Sequence, residues 1–225
     1  MKVISIIGSS HGMNGFTGPV VKNLLEAAQK AGAETEAFSL ADLSIQPCKG
    51  CEVCSKTGAC VIDDDFDVIK NAMIEADGVI FASPNYMYNI SGQMKVLLDR
   101  CNSLCQCQML VGKYGATVMT SGGPYTGVGE EYLLLILGRM GFWKAGSVYA
   151  IQAQLTDEDE RAKIMESAAN LGNRIVKAIR SKEIFPDQEA ERNEFFETLK
   201  CVATMQKEVW PFVYEYWDTR WEVEG

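Results

Sequence analysis

The sequence predicts an α/β fold in which helices cover both faces of a doubly wound, five-stranded parallel sheet. Short apolar segments alternate with helical segments from residue 2 to residue 182, and this alternation is typical of parallel sheets. The segment at residues 78–82 is wholly apolar, as expected for a strand buried on both faces. Right-handed crossovers between parallel strands then favour a doubly wound open sheet.

Strands and helices follow one another in a regular order. Strands are predicted at residues 2–7, 34–40, 78–82, 114–120 and 145–151. Helices are predicted at residues 17–31, from the acidic cap at 63–65 to residue 76, and at 92–100, 130–140 and 157–182. In the first helix Val20, Leu24 and Ala28 recur at helical spacing. The last helix begins with an acidic turn, which favours a helix N-terminus.

The composition changes after Phe185 and Pro186. Residues 187–208 predict one more helix, and the tail that follows is too aromatic to be disordered. Its aromatic residues are Trp210, Phe212, Tyr214, Tyr216, Trp217 and Trp221. We therefore expect a main domain at residues 1–185, with a cysteine-rich insert at 47–61, and a C-terminal helical extension at 186–225. The tail either packs on its own domain or embraces a second subunit.

Charge and composition exclude several classes of partner. The chain has 225 residues, 47% of them hydrophobic, and a net charge of −9. Nucleic acids and anionic membrane surfaces attract an excess of Lys and Arg, so neither is an expected partner. No apolar run reaches the roughly 20 residues that span a bilayer. Residues 1–7 are interpreted as a buried strand rather than a cleaved leader, so a cytoplasmic location is expected.

Three loops of unusual composition follow predicted strands, and such loops converge on one crevice in an open parallel sheet. The first, residues 9–17, supplies hydroxyls, small residues and a helix N-terminus, which together suit a phosphate group. It lacks both the dinucleotide and the P-loop glycine patterns, so a monophosphate fits better. The alternative is a plain polar turn with Thr17 as N-cap.

The other two loops suit a flat ring. Residues 83–88 combine a strand-ending proline with aromatic and amide groups. Residues 120–123 contain two glycines, which let the backbone approach a ligand closely. Each signal is weak alone, but together the three loops describe a mononucleotide with a flat ring, for which FMN is the natural candidate.

Four of the eight cysteines, Cys48, Cys51, Cys54 and Cys60, lie within thirteen positions. Short loops of this kind can wrap four sulfurs around an iron–sulfur cluster. A zinc site is less favoured, because structural zinc more often uses two separated pairs of ligands. Reduced thiols or a redox disulfide would also account for these cysteines.

The remaining cysteines, Cys101, Cys105, Cys107 and Cys201, are predicted to be small buried apolar residues. The neighbouring residues Asp99 and Arg100 are predicted to be structural, as a charged helix end that caps or pairs.

The chain resembles the NADPH-dependent FMN reductases of flavodoxin-like fold, and especially their iron–sulfur flavoprotein branch. The resemblance spans roughly residues 1–180 and is carried by residues 8–17, 47–60, 64–65, 83–86, Lys95, 99–100 and 122–123. It implies that the FMN phosphate is held by Ser9, His11, Asn14, Gly15, Phe16 and Thr17. It implies that the isoalloxazine is lined by Pro84, Asn85, Tyr86 and Met87, with Ser121, Gly122 and Gly123 on its far edge.

The same resemblance implies a [4Fe-4S] cluster on Cys48, Cys51, Cys54 and Cys60, and a homodimer or homotetramer. The phosphate loop departs from the family pattern, because His11 stands where the family often has Arg and the loop is one residue longer. His11 therefore supplies less fixed charge to a phosphate than Arg would.

The function expected from these features is FMN-dependent electron transfer by an oxidoreductase. NAD(P)H or reduced ferredoxin is the expected donor, and a small molecule or a protein is the acceptor. No catalytic side chain is assigned, because the chemistry belongs to the flavin. Two alternatives remain: a non-catalytic electron carrier of the flavodoxin type, and a cysteine-based redox or metal-sensing module.

Overall fold

A computed structural model describes residues 1–124 and 127–224, with side chains up to residue 220. Five parallel strands form one sheet in the order β2-β1-β3-β4-β5. They are β1 (Lys2–Ile7), β2 (Glu34–Ser39), β3 (Gly78–Pro84), β4 (Tyr114–Ser121) and β5 (Trp143–Ile151). This is the flavodoxin-like strand order, and the predicted fold class is confirmed.

Ten helices connect and follow these strands in the part of the chain that is described. They are α1 (Thr17–Lys30), α2 (Val53–Thr57), α3 (Phe66–Glu75), α4 (Gly92–Arg100), α5 (Asn102–Gln106), α6 (Val128–Arg139), α7 (Gln152–Thr156), α8 (Glu158–Ser181), α9 (Pro186–Met205) and α10 (Pro211–Glu224). None of the helices within residues 1–124 and 127–224 has the length and apolar character needed to cross a membrane.

The sheet has one apolar core on each face. Along β1 the residues alternate, so that Val3 and Ile7 join one core while Ile4 and Ile6 join the other. Helices α1 and α8 cover the first face, and α3, α4 and α6 cover the second. The crossovers therefore place all strand C-termini at one open edge of the sheet.

The structure differs from the sequence prediction mainly in short elements and in the tail. Strand β3 continues to Pro84, β5 begins at Trp143 and α6 begins at Val128. The five-residue helices α2, α5 and α7 are absent from the sequence prediction, because segments so short show no hydrophobic periodicity.

The C-terminal extension contains two helices where one was predicted. Helix α9 ends at Met205, and α10 begins at Pro211, because proline suits the first turn of a helix. Ala203, Val213 and Trp217 of these helices form a small third core with Cys107 of the main domain. The described part of the aromatic tail thus packs on its own chain; the Trp221 side chain lies outside the described residues.

Candidate functional site

A cleft of about 230 Å³ lies at the edge of the sheet where the strands end. It is built from the segments that follow β1, β3, β4 and β5, and it includes the point between β1 and β3 where the strand order reverses. Ligands of open α/β sheets bind at this switch point. The lining residues are Ser9, His11, Gly15, Phe16, Thr17, Pro84, Asn85, Tyr86, Thr120, Ser121, Gly122 and Gln152.

The loop after β1 forms a compact floor for one end of the cleft. It contains a short 3-10 turn at Gly12–Asn14 and leads directly into α1. A Cβ atom on Gly18 would lie only 1.9 Å from the carbonyl oxygen of Met13. Glycine is therefore required there for the loop to fold back on the first turn of α1.

Thr17 ties two sides of the cleft together. Its hydroxyl shares a buried 2.8 Å hydrogen bond with the hydroxyl of Thr120 at the end of β4. The residue before α1 is Phe16, without a side-chain cap, and Thr17 is the first helical residue. The alternative interpretation of Thr17 as an N-cap is therefore wrong.

Asn85 lines the cleft with a polar atom that has no partner. Its backbone N–H donates to the carbonyl oxygen of Thr120 at 2.6 Å, and its side-chain NH₂ donates to Ser121 Oγ at 3.2 Å. The side-chain Oδ1 is buried, and it accepts no hydrogen bond from the described residues. A buried acceptor left unpaired is costly, so Asn85 suits a ligand that brings its own N–H donor.

The loop after β3 ends in a tight, exposed turn. The backbones of Tyr86 and Asn89 exchange two hydrogen bonds of 2.8 and 3.1 Å. The two residues between them, Met87 and Tyr88, have φ angles of +48° and +64°, the combination of a type I′ turn. Met87 is 91% exposed at the tip of this turn, and it does not line the cleft.

Ten of the thirteen predicted cofactor residues line this cleft, and Asn14, Met87 and Gly123 do not. Asn14 instead borders a separate polar depression between α1 and α8, together with Lys22 and Arg161.

Sequence reasoning missed Thr120 and Gln152 as lining residues. Thr120 belongs to the predicted loop at residues 120–123 but is not among the predicted cofactor residues. Gln152 follows β5 directly, so the strand-end rule, extended to the fifth strand, would have found it.

The four cysteines proposed as cluster ligands are not brought together. Cys48 and Cys51 are exposed in the irregular segment before α2, while Cys54 in α2 and Cys60 are half-buried. Within residues 1–124 and 127–224, no three His, Cys, Asp or Glu side chains are grouped so that they could hold a metal ion. The cysteines as placed do not fit a four-sulfur cluster.

A buried ion pair fixes the base of the cysteine-rich insert. Arg100 Nη1 lies 2.8 Å from Asp64 Oδ2, and these side chains are 1% and 3% exposed. Arg100 also donates to the carbonyl oxygens of Gln46 and Ile62, at 2.9 and 3.4 Å, one on each side of the insert. The structural role predicted for both residues is thus correct: Arg100 pairs with Asp64 in the interior, and Asp99 pairs with Lys95 on the surface.

The environment of Asp64 favours its ionised form. Burial alone would raise the pKa of this carboxyl group, but hydrogen bonds from Arg100 and from the backbone amides of Gln46 and Phe66 outweigh burial. The pKa of Asp64 therefore lies below its usual value.

The remaining four cysteines differ in burial. Cys101 and Cys107 are buried, and burial raises the pKa of each thiol to about 12. Cys105 is half-buried, and burial raises its pKa to about 11. The prediction of burial is wrong for Cys201, which lies exposed on α9 because Ala203 occupies the buried side of that helix.

Comparison with known proteins places the chain in a family. Residues 1–156 match the family model described as NADPH-dependent FMN reductase. The chain belongs to this family. An iron-sulfur flavoprotein of Methanocaldococcus jannaschii is 39% identical over 144 residues, which cover 62% of this chain and 74% of that protein. An iron-sulfur flavoprotein of Archaeoglobus fulgidus is 32% identical over 190 residues, 81% of this chain and 82% of that protein.

Solved structures agree on the fold. The chain superposes on RosB, crystallised with a riboflavin-phosphate intermediate, with a TM-score of 0.66 at 14% identity, over 88% of this chain and 87% of that chain. It superposes on a WrbA-like flavodoxin of Agrobacterium tumefaciens with a TM-score of 0.55 at 18% identity, over 81% of this chain and 99% of that chain. At such low identity these similarities concern the fold alone.

Proposed function

We propose that this chain is an FMN-dependent oxidoreductase that binds FMN in the cleft at the ends of β1, β3, β4 and β5. The unpartnered Oδ1 of Asn85 is the observation that carries this proposal. The isoalloxazine ring offers the N–H donor that this oxygen lacks. Membership of the FMN reductase family supports the same cofactor.

The lining residues suit the two ends of FMN. Ser9, Thr17 and the amides of the loop after β1 would hold the phosphate, because hydroxyls and a helix N-terminus favour an anion. Pro84, Asn85 and Gly122 would lie along the ring. When bound, FMN supplies the hydride and single-electron chemistry, and the protein orients the ring and limits access to it.

The cleft is too small to enclose a whole cofactor, so a second reactant can reach the part that stays outside. Its volume of about 230 Å³ is below the roughly 300–1,000 Å³ of sites that enclose a whole ligand. We infer that part of the cofactor stays accessible beside the exposed turn at Met87 and Tyr88. NAD(P)H or reduced ferredoxin would deliver electrons there, and a small molecule or a protein would accept them.

FMN affinity of two asparagine variants tests the site. Asn85→Ala removes the unpartnered acceptor, and we expect FMN affinity to fall about tenfold, as for the loss of one hydrogen bond in a buried site. Asn170→Ala is the matched control, because Asn170 is exposed on α8 and does not line the cleft, and its affinity should equal that of the wild type. Fluorescence titration of FMN measures both. Equal affinity of all three proteins would place FMN elsewhere.

A cysteine-based redox or metal-sensing module is the second candidate, and it is favoured by the exposure of Cys48 and Cys51. The relatives' name also supports an iron–sulfur cluster on the four cysteines. Such a cluster requires the segment around Cys48 and Cys51 to fold toward Cys54.

Iron and acid-labile sulfide, quantified on anaerobically purified protein, distinguish a cluster from a thiol-based sensor. About four irons per chain would support a cluster; free thiols that respond to oxidant, without iron, would support the sensor.

A homodimer or homotetramer is proposed on the resemblance alone. Light scattering on the full chain, and on a chain truncated before Pro186, tests whether the C-terminal extension contributes to assembly. An unchanged oligomeric state after truncation would contradict an intersubunit role for the tail.

A further inference from the structure

Three aromatic side chains in and directly before helix α10 connect it to the cysteine-rich insert, residues 47–61, two of them by direct contact and one through α5. The first is Trp210, directly before α10, whose indole N–H donates to Glu52 Oε2 at 3.2 Å. Glu52 lies between Cys51 and Cys54 and has a φ angle of +56°. Because a non-glycine residue with this φ is strained, the contact with Trp210 helps to hold Glu52 in an unfavourable conformation.

The second contact is between Phe212 and Gly58, at the end of α2. A Cβ atom on Gly58 would lie 2.5 Å from the ring of Phe212. Gly58 has a φ angle of +78° and closes α2 as its C-cap. The ring of Phe212 therefore packs directly on the backbone at the point where α2 ends.

The third contact links α10 to α2 through α5. Trp217 is fully buried, and its indole N–H donates to the carbonyl oxygen of Gln106 at 2.9 Å. The side chain of Gln106 in turn accepts a 2.7 Å hydrogen bond from Ser55, the neighbour of Cys54. Trp217 also packs in the same small core as Cys107.

These contacts divide the insert into a held part and an exposed part. Arg100 fixes both ends of the insert, at Gln46 and Ile62, and α10 fixes the part from Glu52 to Gly58. Cys48 and Cys51 lie in the exposed stretch between these attachments. Cys54 lies in the held part, and the family match ends at residue 156, before α10 begins.

We propose that the C-terminal helix α10 is a clamp on the cysteine-rich insert, with Trp210 and Trp217 as positioning residues that set the placement and accessibility of Cys54. The clamp acts on thiols of this chain and does not depend on FMN. Loss of the clamp frees Cys54, while the cleft at the sheet edge, which α10 does not line, stays intact.

Alkylation of each cysteine in the full-length protein tests the clamp. The wild type, Trp217→Ala and Asp218→Ala are treated with N-ethylmaleimide, and modification is followed by peptide mass spectrometry. Asp218 is the matched control, because it lies exposed on the same helix. In Trp217→Ala we expect Cys54 and Cys107 to react at least about tenfold faster, as for a locally opened segment. Cys48, Cys51 and Cys201 are already exposed and should not change.

Cys101, buried in the main core, reports whether the whole domain has opened. If Cys101 also reacts faster in Trp217→Ala, the milder Trp210→Phe variant decides, since it removes the indole N–H bound to Glu52 and keeps an aromatic ring at that position. Faster Cys54 modification with Cys101 unchanged supports the clamp in either variant. An unchanged Cys54 rate overturns it. FMN titration on the same samples should be unaffected, so failure of FMN binding in the wild type would reject the proposed function and leave the clamp standing.

Discussion

At the scale of single residues, Arg100 makes the buried polar contacts that hold the region around the cysteines in place. It is almost fully enclosed, pairs with an equally enclosed Asp64, and stacks over the ring of Phe66 at 4.7 Å. Removing the partner of a buried charge destabilises a protein far more than breaking an ion pair on the surface. Through its hydrogen bonds to the carbonyl oxygens of Gln46 and Ile62, Arg100 also links the end of α4 to both ends of the insert.

Removal of the Asp64 charge should destabilise the protein strongly. We expect Asp64→Asn to lower the free energy of unfolding by about 3–5 kcal/mol, the usual result of leaving a buried partner unpaired. Asp99→Asn is the matched control, because the pair between Lys95 and Asp99 is about half exposed, and it should change stability by less than about 1 kcal/mol. Urea unfolding measures both. Equal effects of the two substitutions would contradict the structural role of Asp64.

The same pair predicts a pH dependence. The pKa of Asp64 is lower in the folded protein than in the unfolded chain, so the folded state gains stability wherever the unfolded carboxyl group is ionised. This contribution is fully present above the unfolded pKa of about 3.9. It is lost as the pH falls through the folded pKa. The stability difference between the wild type and Asp64→Asn should therefore shrink in acid; a difference that stays constant with pH would speak against this linkage.

At the scale of elements, the sequence predicts those whose residues carry their own signal. Strands β1, β3 and β4 are mostly apolar or β-branched, and α1 and α8 show helical periodicity, so the positions of these elements could be derived locally. Helix α10 could not, because its aromatic residues are distributed around the helix and its position depends on contacts with α2 and α9 and on the hydrogen bond of Trp217 to α5. The five-residue helix α2 likewise depends on its partners more than on its own residues.

Two glycines of the insert provide a matched test of the packing between α10 and α2. Gly50 and Gly58 both have positive φ angles, of +63° and +78°, so alanine is strained at either position. A Cβ atom on Gly50 meets nothing within 4 Å, whereas one on Gly58 would collide with Phe212. Gly58→Ala should therefore be more destabilising than Gly50→Ala, by about 1–3 kcal/mol as for overpacking. Thermal unfolding measures the difference, and equal losses would argue against the contact.

At the scale of the whole molecule, most of the candidate site follows from one topological rule. Loops at the C-terminal ends of parallel strands meet at one edge, and this rule brings together Ser9, Thr17, Asn85 and Gly122 from distant parts of the chain. The rule does not say which way each side chain points. The rule therefore could not predict that Asn14 and Met87 lie outside the cleft, although their neighbours line it.

The cysteines show the limit of arguments from spacing. Their short intervals would allow four sulfurs to converge, yet tertiary contacts hold Cys54 in α2 while Cys48 and Cys51 remain exposed in an irregular segment. Where these thiols lie is decided by α10, α5 and Arg100, which are remote in sequence. No local pattern in residues 48–60 contains that information.

The most direct test of the central claim is the visible spectrum of the full-length protein after incubation with FMN and removal of free cofactor by gel filtration. We predict that flavin absorbance elutes with the protein in a stoichiometric amount, and that anaerobic addition of NADPH or reduced ferredoxin bleaches it. Protein that elutes without flavin absorbance would contradict the assignment of the cleft as an FMN site.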